Sequence, residues 1–181
     1  RFERIAHWII EYERSRRTGV ATHLTEITGK MVIEAPAGPF TVTAKADRID
    51  MLTDGGIEIL DYKTGGVPTK KDVVAGLSPQ LALEALIVEA GGFEGVPAAA
   101  VSALRYLKLT GGDPPGEEVR AYDDPAAAVE DIRDGVARLI STYDEPAQHY
   151  LPRPDPEIAP RYSDYDHLAR LPKGSGRGDR A

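Results

Sequence analysis

Cysteine is absent from this chain of 181 residues, and so are long apolar runs. Without cysteine the chain can form neither disulfides nor thiolate zinc sites, a composition that fits a reducing compartment. No stretch approaches the ~20 consecutive apolar residues that a membrane-spanning helix needs. The start of the sequence also lacks a basic segment followed by an apolar one, which argues against secretion. We therefore expect a cytoplasmic protein that does not contact a membrane.

Basic residues are also fewer than acidic ones. The chain carries 22 Lys and Arg residues against 29 Asp and Glu residues, for a net charge of −7 and a sequence pI of about 5.1. A general electrostatic attraction to nucleic acid needs a basic face, so this balance argues against tight autonomous DNA binding. A local contact is still compatible with it, because a domain held by a partner gains affinity through effective concentration.

The length is enough for one domain with a hydrophobic core. We expect a single domain over residues 1–171, followed by a glycine-rich disordered tail over residues 172–181. Because the chain begins with Arg1 instead of Met, we also expect it to be the C-terminal part of a longer protein.

Two neighbouring stretches near the middle of the chain have the composition of β-strands. Residues 40–51 and 57–63 are rich in apolar and β-branched residues. The segment between them includes Asp-Gly-Gly at 54–56, a strong hairpin signal. The sequence therefore predicts an antiparallel pair of strands joined by a three-residue turn.

The alternation of side chains along these strands decides which residues meet. Asp61 and Lys63 share one face, and Tyr62 points to the other. A turn at 54–56 places Asp47 opposite Lys63 and diagonal to Asp61, on the same face. A slip of one residue would move Asp47 to the other face, so the interpretation depends on the register.

Two carboxylates and an amine at this spacing have two interpretations. Neighbouring carboxylates repel each other unless a cation lies between them, and a hard divalent cation such as Mg²⁺ accepts oxygen ligands. Lys63 is not a ligand for such an ion, but its ammonium could orient an attacking water or stabilise charge on a phosphate. The alternative is a surface Asp–Lys ladder worth about 0–1 kcal/mol.

The remaining elements follow from apolar periodicity and from Gly and Pro signals. Ser78 is a predicted N-cap for the helix that follows it, with Pro79 at the first helical position. Arg48 and Asp50 fall on the face opposite Asp47 and are interpreted as a structural ion pair. The further predictions are a helix over 1–17, a strand over 22–34 with an interruption at 29–30, a helix from 79 to 90, a strand over 100–109 with Arg105, Tyr106 and Lys108 as candidate DNA contacts, and a helix over 125–143.

The order of these residues resembles the motif of PD-(D/E)XK nucleases, in the version carried by RecB-type nuclease domains. Those domains read G-x-x-D-R-I-D, a short turn, D-Y-K-T-G, and then a helix that opens with Gln. The wider sequence is similar to the C-terminal nuclease domains of the AddB family, subunits of helicase–nucleases that process double-strand DNA breaks. The matching segments are 1–6 (RFERIA), 44–50 (AKADRID), 61–65 (DYKTG), 79–83 (PQLAL) and 165–170 (YDHLAR).

The resemblance implies an α/β fold of the restriction-endonuclease type, with a central mixed sheet flanked by helices. It also implies a metal-dependent DNA exonuclease that uses Mg²⁺, which Mn²⁺ could replace. Asp47 and Asp61 would bind the metal, with the main-chain carbonyl of Tyr62 as a further ligand. Lys63 would activate water or stabilise the phosphate, and Gln80 would position water or substrate.

Three features of this chain bear on how far the resemblance extends. RecB-type nucleases have an acidic residue upstream of the central motifs, and Glu26 is the best match by position. They often have Tyr four residues after the helical Gln, where this chain has Glu84, and a helical His upstream that His7 does not obviously supply. Many AddB proteins carry a four-cysteine iron–sulfur cluster, which a chain without cysteine cannot hold.

The implied partners are DNA and an AddA-type helicase–nuclease subunit. Two alternatives stay open at this point. One is a non-catalytic nuclease-like module that binds DNA ends or a helicase partner. The other is a free-standing RecB-like exonuclease outside any helicase complex.

Overall fold

The computed structural model describes residues 1–151 of the chain, and the tail predicted over 172–181 lies outside that range. The chain divides into two compact units, Arg1–Ser141 and Thr142–Ala181. The elements are, in order, α1 (Phe2–Arg16), β1 (Val20–Ile33), β2 (Phe40–Leu52), β3 (Ile57–Lys63), α2 (Lys70–Val74), α3 (Gln80–Glu89), β4 (Val101–Leu109), β5 (Gly116–Arg120) and α4 (Pro125–Tyr143).

The five strands form one mixed sheet in the order β1-β2-β3-β4-β5. The pairs β1/β2, β2/β3 and β4/β5 are antiparallel, and β3/β4 is parallel. A parallel pair needs a crossover connection, and the segment that contains α2 and α3 supplies it. The predicted mixed sheet with flanking helices is therefore confirmed.

Most predicted elements are found within two residues of their expected bounds. The short helix α2 and the short strand β5 were not predicted, because each has only five residues and too few positions to show a period. The predicted N-cap of α3 is wrong by one residue: the capping position is Pro79, and no side chain caps the helix. Within residues 1–151 no helix is both long and apolar enough to cross a membrane.

The register between β2 and β3 differs from the predicted one. Met51 pairs with Ile57 and Arg48 with Leu60, and the N–H of Leu52 donates to the carbonyl of Gly56 over 2.8 Å. The turn therefore covers residues 53–55 instead of 54–56, and the same register places Asp47 opposite Asp61, not opposite Lys63. The predicted pairing is wrong by two residues, and an even shift keeps Asp47 on the expected face.

One face of the sheet packs against α3 and holds the apolar core, to which Val129 of α4 also belongs. Seven of the ten residues of α3 are buried, and all of these except Glu84 are apolar. Gly91, with φ of +68°, follows the helix in the left-handed conformation that glycine adopts without strain. The buried side chains of this layer include Ile49, Ile59, Leu81, Leu104 and Val129.

The other face of the sheet contacts α1 through charged groups. No residue of α1 is buried. The guanidinium of Arg48 donates to both carboxylate oxygens of Asp50, and to Glu13 on the helix. Arg16 of the helix donates to Asp50 over 3.1 Å and to Glu58. The interpretation of Arg48 and Asp50 as a structural ion pair is confirmed, within a larger cluster than the sequence indicated.

This cluster continues across the sheet to β4 and β5. Arg105 donates to Glu58 over 2.8 Å and also to Glu118. The hydroxyl of Tyr12 donates to Glu118 over 2.6 Å. We call the seven charged residues the α1 ion cluster: Glu13, Arg16, Arg48, Asp50, Glu58, Arg105 and Glu118. Because buried charges are costly unless they are paired, these contacts fix where α1 lies on the sheet.

Strand β1 is continuous where an interruption was predicted. A side chain at Gly29 would place its Cβ 2.5 Å from the ring of Phe93, which is buried. Gly29 and Phe93 also form a β-bridge, and the N–H of Lys30 donates to the carbonyl of Gly92. Gly29 is therefore required for the close approach of the segment after α3, not for a break in the strand.

Of the second unit, the structure describes residues 142–151. The rings of Tyr143 and Tyr150 stack there, with their centroids 4.6 Å apart. The expectation of a single domain over 1–171 stays a prediction.

The α1 ion cluster makes a testable prediction about stability. Glu58→Gln should lower the free energy of unfolding by roughly 3 kcal/mol, because it removes the buried charge that Arg16 and Arg105 share. Chemical denaturation at neutral pH measures this. Glu117→Gln is the matched control, since Glu117 is exposed and lies 3.6 Å from Lys108. It should change the stability by less than about 1 kcal/mol.

The pH dependence of that difference provides a second check. Burial alone would raise the pKa of Glu58, but the hydrogen bonds from Arg105 and Arg16 outweigh it and lower the pKa below its usual value. The stabilisation by Glu58 is therefore present above the usual pKa and is lost as the pH falls through the lowered one. A difference between wild type and Glu58→Gln that does not shrink as the pH falls from the usual pKa through the lowered one would contradict this.

Candidate active site

Strands β2 and β3 bring Asp47 and Asp61 together on the face that packs against α3. The register places the two residues opposite each other, and the N–H of Tyr62 donates to Oδ2 of Asp47 over 2.9 Å. Asp47 is half-buried, whereas Asp61 is only 2% exposed. The predicted pair of neighbouring carboxylates is therefore present in the structure.

Lys63 lies beside this pair, two residues after Asp61 on the same strand. Its Nζ is 2.8 Å from Oδ2 of Asp61 and 3.4 Å from Oε1 of Gln80. It also lies 5.8 Å from the ring centre of Tyr106, a distance at which an ammonium is attracted to an aromatic face. With 29% of its side chain exposed, Lys63 is both held in place and accessible from solvent.

Gln80, in the first turn of α3, connects Lys63 to the carboxylates. Its Nε2 donates to Oδ1 of Asp61 over 2.8 Å and to Oε1 of Glu84 over 3.2 Å. Its Oε1 accepts from Lys63. The helix therefore contributes an amide that contacts both a predicted metal ligand and the predicted catalytic lysine.

The electrostatics of the site disfavour the charge of Asp61. Burial raises the pKa of its carboxyl, the contact with Lys63 lowers it, and repulsion by Asp47 raises it further. The net shift is upward, so Lys63 compensates only part of the cost. A carboxyl in such surroundings gains from any additional cation that approaches it.

The sequence model of the PD-(D/E)XK nuclease superfamily matches residues 1–161. The chain belongs to this superfamily. The five-stranded mixed sheet with helices on both faces is the restriction-endonuclease-like α/β fold that the sequence predicted. The AddB family itself is not shown by this match.

Curated relatives of this nuclease-superfamily chain come from Rickettsia. A protein of Rickettsia bellii is 28% identical over 173 residues, which are 88% of this chain and 20% of that protein. Proteins of Rickettsia typhi and Rickettsia conorii are 38% and 37% identical over 84 residues, 46% of this chain and 10% of each. All three are described as uncharacterised. The chain thus spans a fifth or less of their lengths.

Among solved structures, the chain is similar to the one described as the crystal structure of SSO0001. The two share 17% sequence identity, with a TM-score of 0.39, over 70% of this chain and 55% of the other.

The backbone of Glu26, the predicted upstream acid, lies close to the carboxylate pair, but its side chain does not. It sits on β1 between the pairs Thr25–Arg48 and Ile27–Ala46, which places it next to Asp47 on β2. Its side chain is exposed and forms an ion pair with Lys45. Its φ of +55° is a left-handed conformation that is costly for a residue with a Cβ.

Tyr62 takes part in hydrogen bonds with groups on both faces of the sheet. Its main-chain N–H bonds to Asp47, while its hydroxyl accepts from Arg48 over 3.4 Å in the α1 ion cluster. The main-chain carbonyl of Tyr62 as a metal ligand stays a prediction.

Oxygen donors at the site fit a magnesium ion. Within residues 1–151 no group of three or more His, Cys, Asp or Glu residues is arranged to hold a metal. Asp47 and Asp61 are the two side-chain carboxylates that are predicted to bind the metal. Mg²⁺ is usually bound by one or two carboxylates and keeps several waters, whereas a structural metal site needs a fuller set of protein ligands. The donor set thus suits a metal that also binds substrate.

Glu84 is part of the site although the sequence did not identify it. It is 1% exposed, and it accepts from Gln80 one turn earlier on α3. Burial raises the pKa of its carboxyl to about 7, and repulsion by Asp61 acts in the same direction. A lone acidic residue within the apolar run of α3 was the signal that could have found it.

The side chains of the candidate DNA contacts on β4 are either buried or paired with acidic residues. Tyr106 is buried, and Arg105 points to the opposite face, where it binds Glu58 and Glu118. Lys108 lies 3.6 Å from Glu117.

The upward pKa shift of Asp61 makes a prediction about stability without metal. The wild-type protein should lose stability as the pH rises from the usual carboxyl pKa through the raised one, because the folded state holds the proton more tightly. Asp61→Asn does not titrate, so it should be more stable at neutral pH, by at most about 1 kcal/mol. Thermal unfolding in the presence of a chelator, with Glu117→Gln as the control, measures this. A loss of stability in Asp61→Asn would mean that the contacts with Lys63 outweigh burial.

Proposed function

We propose that this domain is a magnesium-dependent deoxyribonuclease that hydrolyses phosphodiester bonds of DNA. One observation carries the proposal: two neighbouring carboxylates, Asp47 and Asp61, with the ammonium of Lys63 2.8 Å from the second, in a member of a nuclease superfamily. Surface ladders of Asp and Lys are exposed, whereas Asp61 is buried at the cost of a raised pKa. That cost favours a functional site over a surface ion pair.

Each residue of the site has a role in this proposal. Asp47 and Asp61 would hold Mg²⁺, or Mn²⁺ in its place, with the carbonyl of Tyr62 as a further oxygen ligand. The bound metal supplies Lewis-acid activation of the phosphate and of a water molecule. Lys63 places a positive charge next to the metal ligands, where it can orient the attacking water or stabilise charge that develops on the phosphate. Gln80 holds Lys63 and Asp61 in their relative positions.

Glu26 has a secondary role in the proposal. It lies on the strand next to Asp47 and exchanges a contact with Lys45 for one with substrate or metal when DNA binds. The resemblance of the sequence to RecB-type nucleases supports this assignment, together with its place on β1.

The biological role that we propose is that of an exonuclease domain in an AddAB-type helicase–nuclease, which processes double-strand breaks for recombinational repair in the cytoplasm. The partners would be DNA and an AddA-type helicase–nuclease subunit. One fact supports a domain that depends on a partner, namely its net charge of −7. The absence of cysteine excludes an iron–sulfur cluster held by thiolates of this chain.

The acidic charge also favours the second candidate, a non-catalytic module that binds DNA ends or a helicase partner. The arrangement of Asp47, Asp61 and Lys63 argues against it. A site without chemistry would gain stability by replacing the buried Asp61 with a neutral residue.

Metal binding and DNA cleavage test the proposed activity. Mg²⁺ titrated into the wild-type domain should bind by calorimetry, and labelled DNA should be cleaved only when the metal is present. Asp61→Ala should remove the binding and reduce cleavage at least about 100-fold, because it removes a ligand and the partner of Lys63. Asp61→Asn serves as a second variant with a smaller effect on packing.

Glu117→Gln is the control, because it changes the same net charge on the exposed edge strand β5. It should bind Mg²⁺ and cleave DNA as the wild type does. Cleavage at the wild-type rate by Asp61→Ala would show that the site assignment is wrong. Metal binding without cleavage of any DNA would favour the non-catalytic module.

The partner proposal is tested with an AddA-type subunit encoded in the same genome. The domain should be retained by that subunit on an affinity column and released as one complex in size exclusion. An unrelated helicase is the control. Failure to bind, together with metal-dependent cleavage by the domain alone, would favour a free-standing exonuclease.

A further inference from the structure

Glu84 occupies a place that is costly for a carboxyl group. It lies in α3 among buried apolar residues, and Leu81, Ala85 and Val88 surround it along the helix. Its Oε1 accepts from Gln80, but its Oε2 is buried and has no hydrogen-bond partner in residues 1–151. A buried polar atom without a partner destabilises a fold, so packing gives no reason for an acid at this position.

The groups around Gln80 show what this acid does. Two carboxylates, those of Asp61 and Glu84, lie on the Nε2 side of the amide. The ammonium of Lys63 lies on the Oε1 side. An amide turned by half a rotation would place its carbonyl oxygen against both carboxylates and its NH₂ against the ammonium. The charges therefore select one orientation of the Gln80 side chain.

We propose that Glu84 is a positioning residue that fixes the amide of Gln80, and through it the relative positions of Lys63 and Asp61. The catalytic consequence rests on the proposed nuclease function, whereas the effect on Gln80 does not. The basis is the pair of hydrogen bonds from one Nε2 atom to two carboxylates, together with the helical spacing of four residues that places Glu84 one turn from Gln80.

The effect of losing Glu84 follows from the geometry. Gln80 is itself exposed, so the surrounding protein does not confine its side chain. With Asp61 as the only remaining acceptor, one N–H would be unpaired and the amide could rotate about its last torsion. Lys63 would then lose its second acceptor and keep only Asp61.

A purely structural role for Glu84 predicts the opposite change in stability. If Glu84 stabilised α3, its removal would lower the melting temperature. If it is kept for positioning, an apolar side chain of similar size should pack better and raise the melting temperature. For Glu84→Met we expect a rise of about 2–4 °C at pH 8, where the carboxyl is ionised.

The composition of the chain allows a direct measurement of the Gln80 side chain. The sequence has no Asn and only two Gln residues, Gln80 and Gln148. A ¹⁵N-labelled sample of the full chain therefore shows only two side-chain NH₂ groups. Gln148 donates to the carbonyl of His149 and serves as an internal control. Gln80→Leu assigns the signals, because it removes one pair.

We expect the NH₂ group of Gln80 to be rigid in the heteronuclear NOE in wild type, and to become mobile with shifted signals in Glu84→Met. The signals of Gln148 should not change. Glu84→Gln keeps an oxygen that can accept from Gln80, so it should restore the rigidity of Gln80 while adding a third NH₂ pair. Signals of Gln80 that are unchanged in Glu84→Met would overturn the proposal, and so would a lower melting temperature with an unchanged Gln80.

Cleavage assays add the catalytic consequence. Glu84→Met should reduce kcat about tenfold or more with little change in KM for DNA, and Glu84→Gln should restore most of it. If the wild-type protein cleaves nothing, the proposed function fails, while the NMR comparison still decides whether Glu84 positions Gln80. If kcat is unchanged in Glu84→Met although Gln80 becomes mobile, the catalytic consequence is overturned and the positioning stands.

Discussion

The pairing of β2 with β3 is the constraint on which the rest of this domain depends. Four residue pairs, from Arg48–Leu60 to Met51–Ile57, determine which side chains face α3 and which face α1. Because side chains alternate along a strand, the same register places Asp61 on one face and Glu58 and Tyr62 on the other. A slip by one residue would bury the α1 ion cluster in the apolar core and expose the core to α1. The carboxylate site and the attachment of the first helix therefore share one structural basis.

Helix α3 contributes both to stability and to the candidate site. Most of the helix supplies buried apolar contacts with the sheet, whereas Gln80 at its start bonds to Asp61 and to Glu84 one turn later. Asp61 and Glu84 both have raised pKa values because burial disfavours their charges. Such costs are tolerated where a fold is otherwise well packed, and they collect at sites that carry function.

The sequence predicted the parts of the fold that depend on local patterns. The hairpin, the shared face of Asp61 and Lys63, and the amphipathic or apolar helices all follow from periodicity within one element. The register was wrong by two residues because neighbouring three-residue turns close the same strands, and only hydrogen bonds decide between them. The members of the α1 ion cluster lie far apart in sequence, so no local pattern could have joined Arg16 to Glu58. Glu84 was seen as a departure from a motif, but its burial could be recognised only from the packing of α3.

The hydrogen bond from the N–H of Tyr62 to Asp47 has a consequence for the motion of the hairpin. The regular pairs of β2 and β3 end at Arg48 and Leu60, and the next connection between the strands is made by a side-chain oxygen instead of a main-chain carbonyl. The carboxylate of Asp47 thus takes part in the opening and closing of the strand ends, and in the proposed function it also binds a cation. By thermodynamic linkage, a cation that favours the closed geometry would lower the population of frayed strand ends, and a mutation that loosens these ends would weaken the binding of the cation. The exchange of one amide proton, that of Tyr62, reports on both.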